Sequence, residues 1–133
     1  MASATPTTVR TTITEKVPER TSWRYTATMK DEAGLAIAQS DIFTLTLTIY
    51  NLDAMRTIVN NCEAEDIFNM GRGTVGATDG SLVILFDPDD SEMVDTTKAN
   101  EQHVALIEVT WLGGTKSAAH EVAWTVVNMD RRI

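Results

Sequence analysis

The chain has 133 residues, an apolar share of 43% and a formal net charge of −8. This length fits one domain with a hydrophobic core, and the acidic charge excludes a general attraction to phosphate backbones or anionic membranes. We therefore expect neither nucleic acid nor membrane among the partners. The single cysteine, Cys62, has no internal disulfide partner, and we expect its thiol to be buried and structural.

The amino-terminal stretch contains no apolar run of signal-peptide or membrane length, so we expect the chain to fold in a cytoplasm. Residues Val9 to Lys16 are strand-like but carry few apolar anchors. They fit either an edge strand or an arm that pairs with another subunit. Because Pro18 ends this pattern, the sequence predicts an extended arm at residues 1–20 and one domain at residues 21–133.

Charge is unevenly distributed along the chain. The first thirty residues carry five bases and two acids, whereas residues 31–101 carry fourteen acids and three bases. Such a division favours contact with other copies of the chain or with an oppositely charged neighbour. An ordinary acidic surface with a few arginines is the alternative. The candidate protein-interface residues lie in the arm: Val9, Arg10, Ile13, Lys16 and Arg20.

Two strands are predicted in the first half of the domain, because apolar and polar residues alternate from Ser22 to Lys30 and again from Asp41 to Tyr50. Leu35–Ala38 is a possible short strand between them. In the second strand we expect Tyr50 and a row of threonines to face outward. The side chains that we expect to face the core are Phe43, Leu45, Leu47 and Ile49.

Shorter elements are predicted in the middle of the chain. Thr57–Val59 suits a short strand, and Glu63–Asn69 suits one or two helical turns with Ile67 and Phe68 buried. Met70–Thr78 contains three glycines, which predicts a loop.

A central strand is predicted at residues 81–86, since "SLVILF" is apolar on both faces. After it, Asp87 is placed to cap a short helix, with Pro88 at the first helical position. We expect this helix to run through Val94.

The most regular pattern runs from His103 to Asn128, where two alternating runs flank Gly113 and Gly114. The glycines supply the positive φ angles of a tight hairpin turn. A turn centred near Gly114 sets Ile107 opposite His120 and both tryptophans of the hairpin on one face, which we predict to be core.

Together these elements predict an all-β fold. We expect an immunoglobulin-like β-sandwich of about seven strands, with one or two short helices and an extended amino-terminal arm. The paired cysteines of antibody domains are missing, so the likeness is one of architecture.

One group of residues has the composition of a metal site: Glu101, His103, His120 and Glu121. Zinc needs three or four such ligands around one point. The predicted hairpin register holds the two imidazoles roughly 13 Å apart, at about 3.3 Å per residue. It also turns Glu121 to the face opposite that of His120. We therefore predict structural histidines and no metal or other cofactor.

The remaining candidate sites have simpler structural explanations. Asp87, Asp89, Asp90 and Glu92 do not match the twelve-residue calcium loop, and helix capping accounts for them. No nucleophile motif or cysteine–histidine pair is present, so we expect no enzyme activity. Three tryptophans could line a sugar groove, but their alternating apolar surroundings favour core packing: Trp23, Trp111 and Trp124.

The segments "YTATMKDEAG", "TLTLTIYN", "TDGSLVILFDPDD" and "NEQHVALIEVTWLGGTKSAAHEVAWTVVN" occur in that order. With its segments in this order, the chain resembles small immunoglobulin-like structural proteins of tailed bacteriophages, which are encoded among head and head–tail joining genes. It is also similar in outline to the amino-terminal sandwich domain of phage baseplate proteins. The E-x-H-x-A strand, the glycine-pair turn and the terminal "VxN" are the most particular features.

This resemblance implies a virion structural protein made in the cytoplasm of a host bacterium. It implies homo-oligomers and contacts with capsid, portal, adaptor or tail subunits, without a cofactor or a reaction. The alternative is a binding module that recognises carbohydrate or a receptor in tail or baseplate adhesion. A glycan binder should expose tryptophan or tyrosine, and Tyr50 is the best candidate for an exposed ring.

Overall fold

The computed structural model describes residues 10–52 and 57–129. Within these ranges the chain forms strands and turns, with 3-10 helices at Gln39–Asp41 and Pro88–Ser91. The strands in chain order are β1 (Arg10–Thr12), β2 (Val17–Pro18), β3 (Trp23–Thr28), β4 (Ile42–Asn51), β5 (Thr57–Ile58), β6 (Glu65–Asp66), β7 (Gly73–Val75), β8 (Ser81–Phe86), β9 (Asn100–Trp111) and β10 (Lys116–Val127).

These strands build two sheets. The large sheet has the order β1-β10-β9-β4-β5, with β2 also beside β10 and β6 beside β4, and the small sheet has the order β3-β8-β7. β1 and β2 run parallel to β10, and the other pairs are antiparallel. The prediction of an all-β fold with two sheets is confirmed. Across the described ranges, the structure has no helix of the length and hydrophobicity that a membrane span requires.

The predicted hairpin is confirmed as β9 and β10. Ile107 lies opposite His120, as the glycine turn predicts. Leu112, Gly113 and Gly114 all have positive φ angles, which turn the chain between the two strands. The face that carries both tryptophans is buried, and the core of the protein lies against it.

Strand β4 differs from its prediction at both ends. An irregularity between Ile42 and Thr44 makes Phe43 an extra residue in the ladder with β9. Ile42 is therefore buried and Phe43 is 60% exposed, so the prediction that Phe43 faces the core is wrong. At the other end Tyr50 is only 5% exposed, because a small apolar cluster with Val104 and Ala123 covers it on the outer face. The expectation of an exposed Tyr50 ring is also wrong.

The helix predicted at Glu63–Asn69 is absent, and β6 lies there. The Ile67 N–H donates to the carbonyl of Leu45 at 3.0 Å, so this stretch hydrogen-bonds to β4 and not to itself. Ile67 is buried, as predicted, and Phe68 is half-buried. The loop predicted at Met70–Thr78 contains β7. A Cβ at Gly73 would lie 2.0 Å from the Ile67 carbonyl oxygen, so the glycine permits this close approach.

Two other short elements are smaller than predicted. At Leu35–Ala38 the structure has a single bridge between Lys30 and Ala36, because the Asp31 carboxylate accepts from the N–H groups of a turn that begins there. The helix predicted to reach Val94 is one 3-10 turn that ends at Ser91. The central position of β8 in its sheet is confirmed.

Aromatic rings join the two sheets in the core. The Trp23 and Phe86 rings of the small sheet stack at 4.5 Å, and each lies 5.1 Å from the ring of Trp124 in the large sheet. Trp111 is buried as well. Core packing is thus confirmed for Trp111 and Trp124, while Trp23 is half-buried against the same core.

Candidate functional site

The outer edge of β7 in the small sheet is covered by its own chain. The Gly73 N–H donates to the Met70 carbonyl at 3.3 Å, and the Val75 N–H donates to the Asn69 side chain at 2.7 Å. The Val75 carbonyl accepts from the Gln39 side chain at 3.1 Å. With these groups satisfied, β7 offers little to another strand.

The opposite edge of this sheet, β3, is open as far as the described residues show. In an antiparallel ladder alternate residues direct their backbone groups to the same side. The Met29 N–H, just beyond β3, donates towards β8 at 2.7 Å to the Gly80 carbonyl. The odd-numbered residues of β3 therefore face β8, and no strand in the described part of the chain lies on the other side. The outward-facing residues of β3, whose backbone groups point away from β8, are Arg24, Thr26 and Thr28. Their side chains are exposed as well.

A cavity of about 500 Å³ opens beside β3, between that strand and the β9–β10 hairpin. Its apolar lining includes Ala27, Leu82, Ile107 and Val109. Pockets next to an open edge accept alternate side chains of an added strand, while the edge itself supplies the backbone hydrogen bonds. The cavity and the edge together therefore have the features of a site for an extended segment.

A polar cluster lies at one end of the cavity around His120. The His120 Nε2 atom lies 2.8 Å from the Thr11 hydroxyl and 3.4 Å from the Tyr25 hydroxyl. Burial lowers the pKa of His120 despite the opposing charge of Glu121, so the ring is neutral at pH 7. These contacts connect β1, β3 and β10 across the opening between the two sheets.

The five predicted interface residues have different positions. Val9 lies outside the described residues. Arg10 begins β1, and Ile13 is half-buried against the core with its N–H bonded to the Ala123 carbonyl. Lys16 and Arg20 are exposed.

The structure pairs β1 and β2 with β10 of the same chain, which corresponds to the edge-strand alternative. Both strands lie on the arm side of the predicted boundary at residue 20. The division at that residue and the interface role of the five residues stay predictions.

Both ring nitrogens of His103 are within hydrogen-bond distance of protein oxygens. Its Nδ1 lies 2.9 Å from the Asp90 carbonyl oxygen, which can only accept, so this nitrogen carries a hydrogen. Its Nε2 lies 2.8 Å from the Glu101 carboxylate.

The other two residues of the group with metal-site composition, His120 and Glu121, lie apart from this pair. His120 faces the cavity, whereas Glu121 accepts from the Tyr50 hydroxyl at 2.7 Å on the outer face. Residues 10–52 and 57–129 contain no group of three or more metal-ligating side chains.

The acids after β8 form an ion-pair network that the sequence did not predict. The Arg72 side chain, 8% exposed, bonds to Asp90, to Asp87 at 3.2 Å and to Glu65 at 3.1 Å. Burial alone lowers the pKa of Arg72, but the bond to Asp90 and the charges of Asp90 and Glu65 outweigh it, so its pKa is raised. Asp87 and Asp90 thus form ion pairs with Arg72. The only sequence signal was a lone arginine in an acidic region.

The Cys62 thiol is fully buried, which confirms the predicted structural role. Burial raises its pKa to about 12, so it is protonated and unreactive at neutral pH. Its Sγ donates to the Leu47 carbonyl at 3.4 Å.

Comparison of this chain with protein-family models, curated proteins and solved structures finds no match in any of the three.

Proposed function

We propose that this chain is an assembly protein that joins other protein subunits by extending its small sheet at β3. The open edge of β3 carries this proposal. An added strand would bond to the backbone of Arg24, Thr26 and Thr28 and place alternate side chains over the adjacent cavity. The covered edge of β7 supports the choice of β3, because among the described residues the chain satisfies backbone groups beyond β7 and places no strand beyond β3.

We also propose that the sandwich is immunoglobulin-like. With β3 as strand B, the later strands β4, β5, β7, β8, β9 and β10 take the labels C, C′, D, E, F and G. The sheet orders then become G-F-C-C′ and B-E-D, which are those of immunoglobulin domains without the first strand of the second sheet. In such domains strand A flanks B, so the open edge of β3 lies where another strand normally pairs.

The resemblance described above leads us to propose a virion component of a tailed phage, at the capsid surface or the head–tail junction. Its partners would be further copies and capsid, portal, adaptor or tail subunits. Charge distribution supports such contacts. Arg24 lies on the open edge and Arg20 and Lys30 lie near it, all three exposed, whereas the middle of the chain is acidic. Contacts between the bases near this edge and acids elsewhere on a neighbouring subunit orient repeated subunits.

Carbohydrate binding is less well supported than assembly. Such sites stack sugars on exposed tryptophan or tyrosine rings, and each tryptophan and tyrosine in the described ranges is buried or half-buried. Phe43 is the one aromatic side chain in those ranges that is largely exposed. A glycan array with the purified protein tests this alternative, and specific binding there would favour it over assembly.

The assembly proposal predicts different effects of two substitutions at Thr26. Thr26→Pro removes an outward N–H without disturbing the ladder to β8 and should reduce incorporation into particles at least about tenfold. Thr26→Val keeps that N–H and should leave incorporation unchanged. Each variant would replace the wild-type copy during phage growth, and purified particles would be quantified by mass spectrometry. Equal incorporation of a folded Pro variant would overturn the proposal.

The genomic position tests the virion assignment separately. Genes for capsid and portal proteins on either side would support it, and a location among metabolic genes would contradict it.

A further inference from the structure

We propose that β3 pairs antiparallel with β3 of a second copy, about a twofold axis that passes beside Thr26. This inference rests on the proposed function, since it names the partner of the same open edge. A twofold contact requires a strand that is complementary to its own reverse. The outward-facing residues of β3 meet this condition in one register.

Backbone geometry favours the register centred at Thr26. Outward-facing residues must lie opposite one another, so Thr26 would face its own equivalent and Arg24 would face Thr28 of the second copy. Each such pair exchanges two hydrogen bonds, so three pairs supply about six. With the twofold axis at Tyr25, outward-facing residues of β3 lie opposite one another in only two pairs, Arg24 with Thr26 and the reverse. That register gives about four hydrogen bonds. The register at Thr26 therefore uses the open edge most completely.

Side-chain chemistry favours the same register. The pair of threonines at the axis is a favourable cross-strand pair, and each Arg24 faces a neutral threonine. A twofold at Arg24 would place two guanidinium groups opposite each other, and a twofold at Ala27 would place Arg24 opposite Lys30. Both arrangements oppose like charges, which destabilises a sheet.

The β3 side chains that line the cavity are also compatible with this pairing. Tyr25 would lie opposite Ala27 of the second copy, so that a large side chain meets a small one on each side of the axis. Both residues line the cavity of their own chain. The two cavities would therefore meet below the new strand pair, and Tyr25 of each copy would have space to move towards the other.

Cysteine cross-linking of the purified protein tests the register. In the proposed dimer two Thr26→Cys residues would have Cα atoms about 5.5 Å apart, which suits a disulfide. The native thiol of Cys62 does not interfere, because it is buried and protonated. Under mild oxidation we expect Thr26→Cys to form a covalent dimer on a non-reducing gel, at least about tenfold faster than the control.

The control is Thr74→Cys, an exposed threonine on the covered edge strand β7 of the same sheet. Arg24→Cys alone should also fail to cross-link, whereas the double variant Arg24→Cys with Thr28→Cys should form dimers. Equal rates for Thr26→Cys and Thr74→Cys would overturn the proposal. So would efficient cross-linking of Arg24→Cys alone, which requires another register.

The two proposals fail in different ways. If Thr26→Pro abolishes incorporation but Thr26→Cys does not cross-link, the edge binds another protein and the twofold dimer is wrong. If Thr26→Cys cross-links but Thr26→Pro is incorporated normally, the dimer is right and the assembly role of the edge is wrong.

Discussion

Replacing Asp90 by Asn should lower the free energy of unfolding by about 3 kcal/mol, at the lower end of the range for a broken buried ion pair. The Asp90 side chain is fully buried and accepts from Arg72, from the Asn60 side chain at 2.9 Å and from the Asp87 N–H at 2.6 Å. The substitution removes the charge and replaces an acceptor oxygen with a donor. Arg72 then keeps only Glu65 and Asp87, whose side chains are 39% and 57% exposed.

The matched control for this prediction is Asp89→Asn, the same change at the exposed neighbouring position. It should alter stability by no more than about 0.5 kcal/mol. Urea denaturation followed by tryptophan fluorescence measures both variants. Similar stabilities for the two would show that the Arg72 network contributes little to folding.

Replacing Phe86 by Ala should cost about 3–5 kcal/mol, because it removes the ring that joins the two sheets. Phe86 is buried, stacks on Trp23 and contacts Trp124. The same substitution at the exposed Phe43 should change stability by about 0.5 kcal/mol or less. The midpoints of thermal unfolding compare the two variants, and an equal loss would contradict the assigned core.

Local patterns in the sequence predicted the regular part of the fold. The period of two in β9 and β10, with glycines between them, sets Ile107 opposite His120 because both signals lie within one hairpin. Asp87 was identified as a cap for the same reason, since it forms a capping box with Asp90, only three residues away, at the start of the 3-10 turn.

Contacts between distant parts of the chain account for the predictions that were wrong. The irregularity at Phe43 depends on β9, where the Thr110 hydroxyl accepts from the Thr44 N–H at 3.1 Å. β6 forms by pairing with β4. This long-range pairing outweighs the helical propensity of Glu63–Asn69.

The candidate site could be predicted only in part. Alternation from Ser22 to Lys30 predicted strand β3, but whether a strand is central or at an edge depends on which strands lie beside it. The cavity likewise forms from β3, β8 and the hairpin, which are distant in sequence. The predicted arm ends at residue 20, and the open edge strand β3 begins at Trp23, immediately after it.

Hydrogen exchange of the β3 amides tests most directly whether this edge mediates association. In the dilute monomer we expect fast exchange at Arg24, Thr26 and Thr28 and slow exchange at Tyr25 and Ala27, whose N–H groups face β8. In the assembled protein the first three amides should also become slow. Protection of those three amides in the monomer, or fast exchange that persists after assembly, would contradict association through β3.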